Sequence, residues 1–445
     1  MENNMHLDMF EQSCSINGKQ MNGAADQPSV YPPARLGSLN VEENGDYAAR
    51  TYGYDGFSNI HVDVAGGGVA SSDADVLFYD YDGTLLYSYT KEDFLTLTAM
   101  PDNPTHEGLV AQGWNWTLTD AQAYVTNYGK HIIGQTYTTS DGRSRLYINL
   151  DSTHLSPKLS ITPMGDIEVD VDWGDGSEHT TIVATAPYAS HTYASAGDYV
   201  ISFAVNTGTI YLANSILTDS DNSDNGYYAC SIYKAEIGTG VKFFAIGFKA
   251  CEALRTITIP DTVTSLYDSA FEDCFVLSAL IFPNKCTTLG SKLCQDCYSL
   301  SVVSMSNSIT TIGNNGFYNC YALSTVLFPS SIRGIGNYCC SQAYSLSTVV
   351  FPGGVEYMTA STFSHCYSLQ SMTIAEGVKY INGSAMLDCY SLRTINIPNS
   401  VTLINGGVFA GIEFLTINID NTEDAISGAP WDAGSHSVVN WLRSE

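Results

Sequence analysis

The chain has 445 residues, with 46 acidic against 18 basic side chains and a formal charge of −28. Nucleic acid needs Lys and Arg contacts to its phosphates, and anionic membrane surfaces attract basic segments, so this balance excludes both as partners. Only 14% of residues are charged while Tyr (29) and Gly (38) are plentiful, a profile of β-rich extracellular or virion proteins rather than of a helical cytosolic enzyme.

A chain of this length predicts roughly two to four domains. Its start, MENNMHLDMFEQSCSINGKQMNG, has neither the basic nor the apolar region of a signal peptide. No run approaches the roughly 18 apolar residues of a membrane span, and VVNWLRSE at the end carries no anchor signal. The expectation is a protein made in a cytosol that works at a surface.

Residues 1–35 are polar and aperiodic and read as a flexible N-terminal arm. Residues 36–68 read as a short β module, with turns at Asn44-Gly45 and Asp55-Gly56, a strand through Ile60, Val62 and Val64, and a glycine linker from Gly66 to Gly68. The pattern ENG-x-Y … GYDGF-x-x-V-x-V resembles modules of gut-phage tail and baseplate proteins.

Residues 74–150 read as a small α/β module. VLFYDYDGTLLYSYT is a predicted hairpin turning at Asp82-Gly83. TKEDFLTLT and TDAQAYVTNYG are predicted short helices, the second capped by Thr119 and ended by Gly129. QTYTTSDGRSRLYINL is a second predicted hairpin, turning at Asp141-Gly142, and MPDNPTHEGLVAQGWNW is a predicted aromatic-rich loop. This segment too resembles a recurrent module of gut-phage tail proteins.

Residues 155–213 contain VDVDWGDGSEH and SHTYASAGDYVISFAV. Through Trp173, Gly174, Asp175, Gly176, His191, Tyr193, Gly197 and Tyr199 the segment resembles the PKD domain. That resemblance implies an immunoglobulin-like β-sandwich, a spacer or adhesive module without chemistry of its own.

From Cys251 a period of 23 residues takes over. One column reads Cys251, Cys274, Cys297, Cys320, Ala343, Cys366, Cys389, Ile412; three residues on, every position from Leu254 to Leu415 is leucine. Further columns hold Ile257/Ile259 to Ile395/Ile397, Val263 to Val401, Leu266 to Ile404 and Phe248 to Phe409. No single repeat can bury these positions, whereas stacked coils can, so residues 251–420 predict a solenoid with one strand per coil, spanning on the order of 35–40 Å. Residues 216–250 and 421–445 are its expected caps. The pattern C-x-S-L-x-x-V-x-F-P-x-S-I-x-x-I-G-x-x-x-F resembles the BspA-type leucine-rich repeats of bacterial surface proteins and phage tail proteins.

The columns also sort the candidate chemistry. A position that accepts both Cys and Ala343 calls for a small apolar filler, so the sulfurs are expected to be buried free thiols. Cys294 and Cys297 form a CxxC pair, but each fills a repeat column, Phe and Cys respectively, and so does Cys340. Beside the cysteines runs a column of Tyr298, Tyr321, Tyr344, Tyr367 and Tyr390, preceded by Phe275. It is either an exposed contact face, suited to protein or glycan, or a cover for the solenoid edge. Asp170, Asp172 and Asp175, and separately Asp219, Asp221 and Asp224, offer oxygens to calcium but lack the EF-hand glycine and glutamate, and read as turn formers. No cofactor or metal site is assigned. DYDGTLL around Asp80 and Asp82 looks like a phosphatase nucleophile motif, but the segment is too short for the doubly wound fold that chemistry needs, so these are expected to be hairpin residues.

The sequence therefore predicts a mainly β, multidomain chain: small β-rich α/β modules, an Ig-like PKD sandwich and a C-terminal leucine-rich-repeat solenoid, strung like beads on a line. The expected role is non-catalytic binding to a host surface protein or glycan, on a phage tail or baseplate, with other virion proteins bound through the N-terminal modules. A homo-oligomer is compatible with this, and no membrane insertion is expected. The alternatives are a bacterial cell-surface or secreted adhesin and, third, a phosphatase using Asp80.

Overall fold

Each repeat closes into a coil because two of its residues, four apart, take a left-handed backbone. The pairs run Ile246/Ala250, Ser269/Asp273, Lys292/Asp296, Asn315/Asn319, Tyr338/Gln342, Ser361/His365 and Ser384/Asp388, all with φ between 54° and 65°. Such residues cost about 1 kcal/mol each when they are not glycine. The cost is offset by a regular hydrogen bond to the next coil: Asp273 N donates to Gln295 O (2.9 Å), Asp296 N to Tyr318 O (2.9 Å) and Asn319 N to Ser341 O (3.1 Å).

The computed structural model describes residues 74–212, 215–219, 227–422 and 426–442, together with short antiparallel backbone pairs before residue 74, among them Tyr52–Tyr54 with Ile60–Val62. The expected arm, the 36–68 module with its turns and linker, and Asp221 and Asp224 otherwise lie outside the described residues.

Each coil carries two short parallel strands, not the single one expected. The first series includes Ala279–Ile281, Val302–Ser304, Thr325–Leu327, Thr348–Phe351, Ser371–Ile374, Thr394–Ile397 and Thr416–Ile419. The second runs from Ser265–Leu266 and Thr288–Leu289 to Tyr380–Ile381 and Leu403–Ile404. Between the two walls every leucine of the 23-residue column, Leu254 through Leu415, is at most 1% exposed. One uninterrupted apolar interior reaches from Leu146 to Trp431.

That interior crosses what the sequence suggested were separate beads. The sheet Thr180–Val183, Glu168–Asp172, Gly197–Val205, Ser144–Leu150 continues through Ile232–Glu236 into the first coil strand, Thr256–Thr258. On the opposite wall Thr162–Pro163 and Ile210–Leu212 continue through Val241–Phe244 into Ser265–Leu266 and onward. The sandwich and the solenoid thus share both sheets, because each supplies the strands that cover the other's open end. At the far end Val438–Trp441 adds a further parallel strand beside Thr416–Ile419, and Trp431, 2% exposed, packs on Phe409.

The second predicted hairpin is also corrected. His131–Thr139 pairs with Val76–Tyr79 and Leu109–Trp114, whereas Ser144–Leu150 leaves for the sandwich. The bend at Asp141-Gly142, with Gly142 at φ 75°, therefore joins two sheets instead of closing one. The first hairpin stands as predicted: Val76–Tyr79 pairs antiparallel with Leu85–Tyr89, and Gly83 at φ 89° sits in the turn. Helix Leu118–Tyr128 ends at Gly129 as expected, but its cap is Thr117, whose hydroxyl accepts from Asp120 N (3.1 Å). The threonine three residues before an acidic side chain wins that position.

Candidate functional site

The tyrosine column is a stack. Phe275, Tyr298, Tyr321, Tyr344, Tyr367 and Tyr390 lie face to face, with centroids 4.6 to 5.4 Å apart and interplanar angles of 3° to 13°. Tyr298, Tyr344 and Tyr367 are buried, and Tyr321 and Tyr390 half-buried. Of the two alternatives for this column, contact face or cover for the solenoid edge, the burial fits the cover: the ring faces that would meet a ligand are taken by neighbouring rings. A 23-residue register holds each ring one strand spacing from the next, which is near a ring-stacking distance.

Beneath the stack lies a file of polar side chains at the second left-handed position. Asn319 Nδ2 donates to Asp296 Oδ1 (2.6 Å), and His365 Nδ1 lies 3.2 Å from Asp388 Oδ2. Burial raises Glu252 to about 7, helped by the Asp273 charge. Asp273 rises to about 6, from burial first and then from Asp296 and Glu272.

The cysteine column does more than fill space. Cys274 Sγ donates to Phe248 O (3.1 Å), Cys297 to Phe271 O (3.1 Å), Cys320 to Cys294 O (3.2 Å), Cys366 to Cys340 O (3.2 Å) and Cys389 to Phe363 O (3.2 Å). Each thiol thus partners a carbonyl of the coil before, a role sequence reasoning missed because Ala343 suggested filler alone. The column's six cysteines are buried and free, and so are Cys286, Cys294, Cys339 and Cys340. Burial pushes the Cys286 thiol up to about 12.

Asp80 is a buried hairpin residue. Its backbone N–H donates to Thr84 O (2.9 Å), and Oδ2 lies 2.7 Å from His106 Nε2. This pair ties the 101–108 loop to the turn. In the sandwich, Asp172 and Asp175 accept from Gly174 N (2.9 Å) and Ser177 N (3.0 Å), the turn-forming role, and Asp170 binds the Arg143 guanidinium (2.7 Å). His191 stacks on buried Trp173, and Tyr193 OH donates to Trp173 O (2.8 Å). Among the described residues no group of three or more His, Cys, Asp or Glu side chains is arranged to hold a metal ion.

The most consequential contacts were not foreseen. The module beginning at Val76 lies on the first strand series of the solenoid. Asn115 Nδ2 donates to Phe282 O (3.2 Å) and to Ser304 Oγ (3.0 Å), Trp116 Nε1 to Met305 O (2.6 Å) and Tyr124 OH to Phe328 O (2.9 Å). Asn115 and Trp116, expected in a loop, directly follow the strand Leu109–Trp114. Ile132 packs against Ala279, Ile281, Val302 and Leu327. These four point outward from their coils and are apolar because they are covered. The same outward positions farther along read Thr348/Val350, Ser371/Thr373, Thr394/Asn396 and Thr416/Asn418. That switch from apolar to polar marks the edge of the footprint and is readable in the sequence.

Past that edge the sheet face is open. Ser371, Thr373, Thr394, Asn396 and Asn440 are exposed. Asn418 Nδ2 donates to Asn396 Oδ1 and Asn440 Nδ2 to Asn418 Oδ1, both at 2.9 Å. On the opposite wall Tyr357 is 48% exposed and stacks on Tyr380, with centroids 4.7 Å apart.

Residues 221–346 and 310–429 match the family model of the BspA type leucine-rich repeat region, in six copies. No curated protein matches the chain. Among solved structures, similarity extends to a leucine rich cell surface protein of Faecalibacterium prausnitzii (20% identity, 50% of this chain and 76% of that one, TM-score 0.28). A leucine-rich repeat protein of Bacteroides ovatus is 16% identical over 62% of this chain and 98% of that one, with a TM-score of 0.23. The pneumococcal vaccine antigen PcpA is 16% identical over 62% and 86%, with a TM-score of 0.31.

Proposed function

We propose that the chain is a non-catalytic binding protein that presents the distal coils of its repeat solenoid to a cell surface. The observation that carries this reading is the division of the solenoid. Its proximal coils are covered by the 76–139 module and continued by the sandwich, while the distal coils keep an uncharged face, mostly Ser, Thr and Asn side chains with Val350 and Val438 among them. The Asn396, Asn418, Asn440 ladder holds part of that face in one arrangement before any partner arrives, which reduces the ordering cost of binding.

The site of action in this reading is a phage tail or baseplate, with neighbouring particle proteins held through the N-terminal modules and copy number amplifying shallow contacts. A bacterial cell-surface adhesin is the second reading, favoured by the match of the repeat region to the BspA type. Gold-labelled antibody against the full chain separates the two: label on tail structures supports the first, and label on bacterial envelopes the second. Saturable adsorption of the purified full chain to bacterial cells is the test of binding itself. Adsorption that never saturates, on any strain carrying or hosting the protein, sinks both.

A further inference from the structure

On the second wall of the solenoid the outward position reads Ser265, Thr288, Thr311, Gly334, Tyr357, Tyr380, Leu403, one residue per coil. Gly334 interrupts it without a backbone reason. At Gly290, Gly313 and Gly336 a Cβ would meet the preceding coil's backbone at 2.4 Å. At Gly334, whose φ is not left-handed, a Cβ would have Thr311 Cγ2, at 3.6 Å, as its sole neighbour within 4 Å. The fold tolerates a side chain here, and the rung is empty.

The empty rung has an aromatic wall. Tyr357 occupies the next coil in the same register, with Tyr380 stacked against its far face at 4.7 Å and 20°. Its near face is left looking over Gly334. The wall is also parted at this point: a seven-stranded sheet ends at Gly334–Ile335, and a separate three-stranded one starts at Tyr357–Met358. One side chain bridges the parting: Thr359 Oγ1 reaches Ile335 O (3.1 Å) and Gly336 O (2.8 Å), while Arg333 Nη1 turns back within its own coil to Ser330 O (2.9 Å) and Ile332 O (2.7 Å). Around the slot stand the exposed Thr310 and Thr311 and the Glu356–Lys379 pair, 2.9 Å apart.

We propose that this slot, floored by Gly334 and walled by Tyr357, binds one neutral pyranose ring of a surface polysaccharide. A pyranose has an apolar C–H face that lies on an aromatic ring, and a rim of hydroxyls that needs donors and acceptors. The slot offers one free aromatic face, and its rim carries hydroxyls and a paired carboxylate and ammonium. An aromatic side chain of a partner protein would match the face but bring no hydroxyls to exchange hydrogen bonds with that polar rim. A ring seated over Gly334 against the Tyr357 face would extend the Tyr357–Tyr380 pair by one member.

The inference deepens the binding function proposed above and rests on it. The test uses the full chain on immobilised neutral gluco-, galacto- and manno-configured oligosaccharides, beside Gly334→Thr and Tyr357→Ala. Gly334→Thr installs the residue found at Thr288 and Thr311, so its melting temperature should equal or exceed that of the wild type. Expected is binding of the wild type to at least one of these sugars, weakened roughly tenfold or more by either substitution. Saturable cell adsorption with no oligosaccharide bound overturns the slot and leaves the binding function standing. So does sugar binding that Gly334→Thr leaves undiminished, or adsorption that protease treatment of the cells abolishes. Loss of both adsorption and sugar binding in the wild type overturns the two together.

Discussion

The sulfur of Cys297 lies 3.1 Å from the carbonyl oxygen of Phe271, 26 residues earlier in the chain. A thiol is a weak donor, yet the bond recurs in five coils, and in each it partners a carbonyl that faces no water. Replacing Cys297 or Cys320 with Ala should cost about 1–3 kcal/mol each, from the lost bond and the small void left behind. Urea denaturation measures this. Native protein should also show no thiol reactive toward a disulfide reagent within the column, with reactivity appearing only on unfolding.

The tyrosine stack should act on stability before it acts on any partner. Changing Tyr321, Tyr344 and Tyr367 together to Ser removes three rings from an unbroken stack. Each buried aromatic truncation costs about 3 kcal/mol or more. The expected outcome is a large drop in melting temperature. A triple variant that melts with the wild type would show that the rings carry no structural load.

Docking of the module rests on few residues. Trp116→Ala deletes the bond to Met305 O and the aromatic packing around it, at about 3–5 kcal/mol. The variant should unfold in two transitions, the module first, and should become sensitive to protease in the 140–143 connection. The solenoid should keep its own transition. A single unshifted transition would contradict the docking.

Acid should loosen the same contact. Burial lowers His131 to about 3, and the ring lies between Trp116 and Tyr124 with no hydrogen-bond partner on either nitrogen. Above pH 6.5 the residue is neutral whether folded or unfolded and contributes no pH dependence. Below 6.5 the unfolded chain takes the proton and the folded chain does not. Stability therefore falls by up to about 1.4 kcal/mol per pH unit until the folded value is reached. His131→Phe should flatten this slope, read as melting temperature against pH between 7 and 4.

Glu252 works in the opposite sense. Its folded value is raised to about 7, so the carboxyl is fully protonated and unstrained in the folded state at low pH. Its contribution is lost as pH rises through that value. Glu252→Gln should raise stability by about 1–3 kcal/mol at pH 8 and change it little at pH 5.

The repeat was legible because a 23-residue period writes the interior many times over: eight leucines in one column admit a single reading. The first hairpin, announced by Asp82-Gly83, and the end of the helix at Gly129 were legible for the same local reason, a backbone conformation that few residues adopt. What the period could not show was which part of the chain covers the outward apolar side chains. Asn115 and Trp116 look like loop residues until Ser304 and Met305 stand opposite them. Nor did Ser144–Leu150 announce its partner, because alternation fixes which face of a strand is buried and leaves open which strand lies beside it. The tyrosine column stayed open between contact face and cover because a column with Glu252 and Glu413 in it looks solvated, and ring-on-ring burial is invisible until the coil spacing is known.

The sharing of sheets between sandwich and solenoid has a consequence for how the chain assembles. Ile232–Glu236 must find Ser144–Leu150, nearly ninety residues back, before Thr256–Thr258 has an edge to join. After that slow closure each new coil needs only its immediate predecessor as a template. Growth then becomes vectorial, in the direction of synthesis. A ribosome paused late in the message would hold a shorter rod with a finished base, whereas an error in the strand at 144–150 would leave every later coil without a place to start.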